Sequence, residues 1–280
     1  MEIDTIKLAE IANLSYENEN VFKEKINNLC MNISNVDFFD ANINYSIDSQ
    51  LYIIVLNEII EDHAIISQNN IQQKPNKTII FSVRGTSSKN DIVSDIYVTK
   101  KKFGDILTKN KSQHKNDSIK VHSGFLNQYN SLKFTVMKKI IHHIQNIDEK
   151  NKLNIIFTSH SLGAAVSTLL SCLLKNFFED KIYIINHLFG CPKIGNSNFV
   201  NYYNETIDET YRYVNQNDII PRVPKINYKT TKNRILLGEN HMNKSCCLYK
   251  KIGSIQDHSM IKYIEQLKKK ENNHIIIKIQ

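Results

Sequence analysis

The sequence predicts an α/β fold with a mostly parallel central sheet flanked by helices. Residues 153–157 are an apolar run broken only by Asn154, with the length and β-branched content of a buried strand. Beyond a short polar turn come Ala164, Ala165, Leu169, Leu170 and Leu173, apolar positions at helical spacing on good helix formers. The same strand-then-turn pattern recurs at 78–83, 182–189 and 211–214. A length of 280 residues with 41% hydrophobic content fits one sizeable domain with its own core. The expected layout of 1–280 is N-terminal helices and outer strands over 1–77, a core over 78–264, and a tail over 265–280.

In chain order, residues 4–30 carry Ile6, Leu8, Ile11 and Ala12, then Val21, Phe22 and Ile26, and predict two helices split near 18–20. Strands are expected at 51–56 and 64–66, the second followed by a polar turn through Pro75. Residues 78–83 predict a central strand that runs straight into Arg84-Gly85-Thr86. Residues 90–96 place Ile92, Val93 and Ile96 on one helical face, either a surface helix or a lid that opens on a lipid surface. Residues 101–120 are polar and predict a loop, and 126–147 predict a helix with Leu132, Val136, Ile140 and Ile144.

The strand at 182–189 ends in a Gly/Pro turn that starts a helix at 197–203. Residues 211–214 are the next strand, and 234–237 and 246–252 suit a final hairpin. A last helix over 259–269 is expected to turn Ile261, Ile264 and Leu267 inward.

The net charge is +8, but lysine is spread along the chain with local knots at 100–102 and 268–270. No aromatic–basic interleaving accompanies it, so nucleic acid is not an expected partner, whereas attraction to an anionic lipid surface fits. Five cysteines without a regular framework predict reduced thiols. The first residues carry early acids and no apolar h-region, and no run of about 18 apolar residues occurs. Neither a secretory signal nor a membrane-spanning helix is therefore expected, which favours a cytoplasmic placement.

The chemistry centres on Ser159-His160-Ser161-Leu162-Gly163, between the strand and the helix described first. A serine on a sharp strand-to-helix turn is the nucleophile elbow of α/β-hydrolases: the turn lifts the hydroxyl, and the helix N-terminus supplies amide donors. The competing reading is an ordinary helix N-cap. Asp218 follows the 211–214 strand, where ligand-contacting residues of parallel sheets gather, although a turn-forming Asp before an extended Pro segment reads similarly. His258 stands at a loop-to-helix junction C-terminal to both, with His241 as its competitor. The order Ser161, Asp218, His258 is that of α/β-hydrolases.

In sum the sequence resembles the class 3, or fungal-type triacylglycerol, lipase family over roughly 78–264. Ile80-Phe81-Ser82-Val83-Arg84-Gly85-Thr86 resembles the family's strand and oxyanion residue, and His122-Ser123-Gly124-Phe125-Leu126 its H-x-G-F-L block. The elbow follows, then Phe189-Gly190-Cys191-Pro192-Lys193-Ile194-Gly195-Asn196 for F-G-x-P-x-x-G-N, the segment through Asp218 to Pro224, and Asp257-His258-Ser259. Two departures stand out: Ser159 replaces the usual elbow glycine, and Ile92 stands where fungal members often carry a lid Trp.

The resemblance implies an α/β-hydrolase fold and serine-dependent hydrolysis of lipid esters at a lipid–water interface, with peripheral membrane contact and no metal or organic cofactor. Ser161 would be the nucleophile, Asp218 and His258 its partners, and Thr86 and Leu162 the oxyanion hole. Triacylglycerol is the first expected substrate class. Phospholipase A1 and general carboxylesterase activity are the alternatives within enzymes, and a catalytically silent lipid- or protein-binding module is a more distant one. Oligomeric state is not specified by the sequence.

Overall fold

A computed structural model describes residues 3–29, 31–41, 48–57, 77–85, 99–104, 119–145, 147, 151–238 and 254–272. Helices α1 (Thr5–Leu14) and α2 (Glu19–Asn27) lead, each opened by a side-chain cap from Asp4 or Asn18. Strands β1 (Ile33–Asp40), β2 (Gln50–Leu56) and β3 (Thr78–Val83) follow, then the short β4 (Lys100–Lys102) and β5 (Lys120–His122). Helix α3 (Ser123–Ile144), β6 (Leu153–His160), α4 (Leu162–Phe178) and β7 (Ile182–Phe189) come next. Helix α5 (Ser197–Thr206), β8 (Glu209–Asn215), β9 (Arg234–Leu237) and α6 (Met260–Asn272) complete the described chain.

The main sheet has seven strands in the order β1-β2-β3-β6-β7-β8-β9. The first two pairings are antiparallel and the remaining four, from β3–β6 to β8–β9, are parallel. This is the mostly parallel, helix-flanked sheet that the alternating strand and helix patterns predict. Strand β3 is buried throughout, as a central strand covered on both faces must be. Ile79, Phe81, Ile155 and Phe157 face a core built with Phe125, Leu132, Leu169 and Phe199 of α3, α4 and α5. Ile80 and Ile156, one residue out of phase, face Leu8, Ile11, Phe22 and Ile26 of α1 and α2 on the opposite side.

Three differences from the sequence reading stand out. Strand β1 was not expected, because its pattern of Ser, Asn and Asp is that of a half-exposed edge strand with low intrinsic preference. The polar 101–120 region contains parts of β4 and β5, a two-stranded ladder at the rim. On α6, Leu267 is buried and Ile264 packs beside it as expected, but Met260 and Tyr263 complete the inward face while Ile261 is 61% exposed. The expected strand at 64–66, the 90–96 segment and the 246–252 half of the hairpin lie outside the described residues. No helix among the described residues is long and apolar enough to cross a membrane.

Candidate active site

The parallel strands deliver the predicted polar residues to one edge of the sheet, at their carboxyl ends. Strand β6 stops at His160, and Ser161 turns the chain at φ 57° and ψ −128°, a region non-glycine residues rarely occupy. Helix α4 starts at the next residue. The turn is held from both sides: Ser161 N–H donates to the Phe189 carbonyl at 2.9 Å, and the Ser161 carbonyl accepts from Ala164 N–H at 3.1 Å. A side chain at Gly163 would overlap the Val83 carbonyl, so α4 approaches β3 as closely as a glycine permits.

Ser159, at the position where the elbow pattern has glycine, is fully buried. Its hydroxyl accepts from Val83 N–H at 3.0 Å and pairs with the Ser167 hydroxyl at 2.8 Å. The extra oxygen is thus satisfied within the β3–β6–α4 junction, and Ser167 is the residue that accommodates it.

Asp218 and His258 converge on this turn. The Ser161 hydroxyl lies 2.7 Å from His258 Nε2, and His258 Nδ1 lies 2.7 Å from Asp218 Oδ2. All three side chains are buried. The carboxylate can only accept, which assigns the proton to Nδ1 and leaves Nε2 to accept from the serine. The other Asp218 oxygen accepts from Ile220 N–H at 2.8 Å, and Tyr263 Oη donates to Oδ2 at 2.6 Å. Burial, and then the adjoining Asp218 charge, hold the Tyr263 phenol well above its ordinary pKa, so it stays a donor.

The histidine loop is tied to the aspartate loop through the backbone. Ser254 N–H donates to the Asn217 carbonyl at 2.7 Å, and Asn215 Nδ2 donates to the Asp257 carbonyl at 3.0 Å. Gly190 completes the enclosure: it has φ +58°, and a Cβ there would stand 2.8 Å from His258 Cε1. Only glycine meets both demands.

Of the predicted oxyanion donors, Leu162 occupies the first turn of α4, where helix amides have no intrahelical acceptor. Thr86 lies outside the described residues, as do residues 87–96, His241 and the Cys246–Cys247 pair. Gly85, just before Thr86, is buried against the elbow, where a Cβ would come within 3.2 Å of Ser161 Cβ. His122 of the H-x-G-F-L block serves α3: its Nδ1 accepts from Gly124 N–H at 3.2 Å, and its ring stacks on Phe125.

Sequence reasoning missed three neighbours of the site: Tyr263, Tyr16 and His160. The His160 ring centroid is 4.3 Å from that of His258, and its Nδ1 lies 2.7 Å from Tyr16 Oη. Burial pushes the Tyr16 phenol up, so it donates, and burial first and His258 second hold His160 well below its ordinary pKa. His160 is therefore neutral, and its Nε2 is buried without a hydrogen-bond partner among the described residues. A buried tyrosine hydroxyl requires a partner, which is the signal that Tyr16 and Tyr263 carried.

His187, on β7, is likewise buried neutral with its pKa pushed down to about 4 by desolvation. In the unfolded chain such a group binds its proton near pH 6.5, so the unfolded state gains protons first on acidification and stability falls below that pH. By pH 5, His187 is expected to cost about 2 kcal/mol, and His160, held low by burial and then by His258, adds to the loss. Urea midpoints at pH 7 and pH 5 measure this, and equal midpoints would mean that neither group is buried neutral.

The pattern of the family described as Lipase (class 3) matches residues 80–228, a span that holds Ser161 and Asp218 and ends before His258. A secreted mono- and diacylglycerol lipase, MDL3, of Malassezia globosa is 32% identical over 168 residues, 58% of this chain and 52% of that protein. The chloroplastic phospholipase A(1) DAD1 of Arabidopsis thaliana is 27% identical over 163 residues, 57% of this chain and 36% of that protein. The chain thus spans about half or less of the length of these two relatives. Lipase II of Rhizopus niveus superposes with a TM-score of 0.64 at 20% identity, over 91% of each chain, which establishes a shared α/β-hydrolase fold.

Proposed function

Because the chain belongs to the class 3 lipase family, we propose that it hydrolyses carboxylic ester bonds in lipids with Ser161 as nucleophile, His258 as general base and acid, and Asp218 as its orienting partner. The observation that carries this reading is the unbroken run of 2.7 Å contacts from Ser161 Oγ through the His258 ring to Asp218.

In this mechanism His258 Nε2 takes the Ser161 proton as Oγ attacks the ester carbonyl, and Asp218 stabilises the imidazolium that forms. The tetrahedral oxyanion is held by the Leu162 and Thr86 amides and the Thr86 hydroxyl. The loss of one such donor typically costs about 2.7–4 kcal/mol. His258 then gives its proton to the departing alcohol, and water activated in the same way releases the acid from Ser161.

Triacylglycerol is the first substrate class in this reading. Phospholipase A1 activity is the second, favoured by the 27% identity to a phospholipase A(1). The relatives are named as secreted and chloroplastic, so a cytoplasmic placement finds no support in them. The test is hydrolysis of p-nitrophenyl butyrate, emulsified long-chain triacylglycerol and phosphatidylcholine vesicles. Turnover of triacylglycerol supports the first class, and turnover of phospholipid alone replaces it with the second. A folded chain that turns over none and does not react with a fluorophosphonate is a silent binding module, and the reading fails.

A further inference from the structure

Next to the site lies a surface on which the described residues place many lysines and no acid. Strands β4 and β5 form a short ladder, which is continued by antiparallel bridges from Val121 to Gly195 and from Gly195 to Lys229. Lys193 N–H donates to the Val223 carbonyl at 2.9 Å, joining the turn after β7 to the loop after β8. Residues 99–104, 119–126, 190–196 and 219–232 therefore make one continuous shelf. These stretches contain no Asp or Glu.

The shelf gathers lysines from every strip. Lys100 Nζ lies 4.3 Å from the centre of the Tyr228 ring, and Lys120 is exposed on β5. Lys193, Lys225 and Lys229 make no ion pair with any described residue. The Lys193 ammonium is held below its ordinary pKa by partial burial first and by Lys229 and Lys225 next, which places the three positive charges within reach of one another. Several lysines elsewhere do have acidic partners: Lys23 with Glu19, Lys139 with Asp37, Lys175 with Asp208, Lys262 with Asp257.

On the same shelf, beside Asn227 at φ 58°, Ile226 is at 79% exposure the most exposed large apolar side chain among the described residues. A lone exposed apolar residue means little by itself. One set between Lys225 and Lys229 in a basic ledge without Asp or Glu among its described stretches has the make-up of an interfacial contact. The ledge also lies on the reactive edge, since its two loops follow Gly190 and Asp218 directly.

We propose that this shelf docks the chain on the anionic surface of a phospholipid bilayer, the lysine ammoniums meeting lipid phosphates and Ile226 entering the headgroup layer. The purpose of the contact rests on the lipid-ester reading of Ser161: it would hold the edge that carries the serine toward lipid. A nucleic acid is the weaker fit, because the phenyl and phenol rings of the shelf, Phe103, Phe125 and Tyr228, are all buried, and Tyr228 is covered by Lys100, so none is open for base stacking.

The test is cosedimentation of the full chain with phosphatidylcholine vesicles, with and without phosphatidylglycerol, beside the variants Lys225→Gln, Lys229→Gln and Ile226→Asn. Binding is expected only with phosphatidylglycerol present and should fall with added salt. Each lysine substitution should weaken it about fivefold, and Ile226→Asn should weaken it without altering the salt slope. Hydrolysis of p-nitrophenyl butyrate should be unchanged in all three, since none touches Ser161, Asp218 or His258.

Equal binding to both vesicles, variants that bind like the parent, or binding to heparin without binding to vesicles would each overturn the proposal. A chain that binds as expected yet hydrolyses no ester would sink the hydrolase reading and leave the docking surface standing.

Discussion

Ser161→Ala is expected to lower kcat on p-nitrophenyl butyrate by about a million-fold, the loss seen when the nucleophile of such a triad is removed. The magnitude follows from the attacking atom: Ser161 Oγ is the group aligned on His258 Nε2 at 2.7 Å. Residual hydrolysis would come from water held near the α4 N-terminus. The fold should survive, because the strained turn is set by backbone bonds to Phe189 and Ala164, which alanine keeps. Thermal melting should therefore stay close to the parent while fluorophosphonate labelling disappears. A variant that keeps parental activity would mean that another serine is the nucleophile.

The elbow was legible in the sequence because everything that defines it is local. A buried apolar run, two small residues flanking Ser161 and a helical pattern all fall within about twenty residues. Asp218 and Gly190 were legible for a related reason, as each ends a strand and so has its edge of the sheet fixed by the β-to-α alternation. His258 was only one of two candidates by sequence. Its selection depends on the bonds that tie the 254–258 loop to Asn215 and Asn217, pairings between segments about forty residues apart.

The less legible features share that long-range character. Ser159 departs from the motif, and its hydroxyl is acceptable only because Ser167 and the Val83 amide meet it in three dimensions. Tyr16 lies 144 residues from His160, so no spacing rule joins them. On α6, Ile264 and Leu267 were legible as inward, but Tyr263, with a polar tip, was passed over in favour of the exposed Ile261. Buried hydrogen-bonded tyrosines defeat a purely hydropathic reading at the site where they matter most.

Tyr263 bears on the second large effect, that of Asp218→Asn. The substitution keeps the shape of the side chain, and one of its atoms can still accept from Ile220 N–H. The other must then present an NH₂ group where Oδ2 now accepts from both His258 Nδ1–H and Tyr263 Oη–H. Donor would face donor twice. The tyrosine can rotate its hydroxyl and accept, but the imidazole escapes only by moving its proton to Nε2. A ring protonated there cannot take the proton of Ser161, and its imidazolium would lack the buried carboxylate that stabilises it. The expected loss is about ten-thousand-fold in kcat, the size of effect that a wrong tautomer produces. KM should change little, since Asp218 is buried behind the ring and away from substrate. Tyr263→Phe is the control: it leaves the carboxylate charge and the tautomer intact, so kcat should fall far less. Steady-state kinetics on the two variants separate the cases. An Asp218→Asn chain within tenfold of the parent, or a Tyr263→Phe chain as impaired as Asp218→Asn, would show that His258 is oriented by something other than this carboxylate.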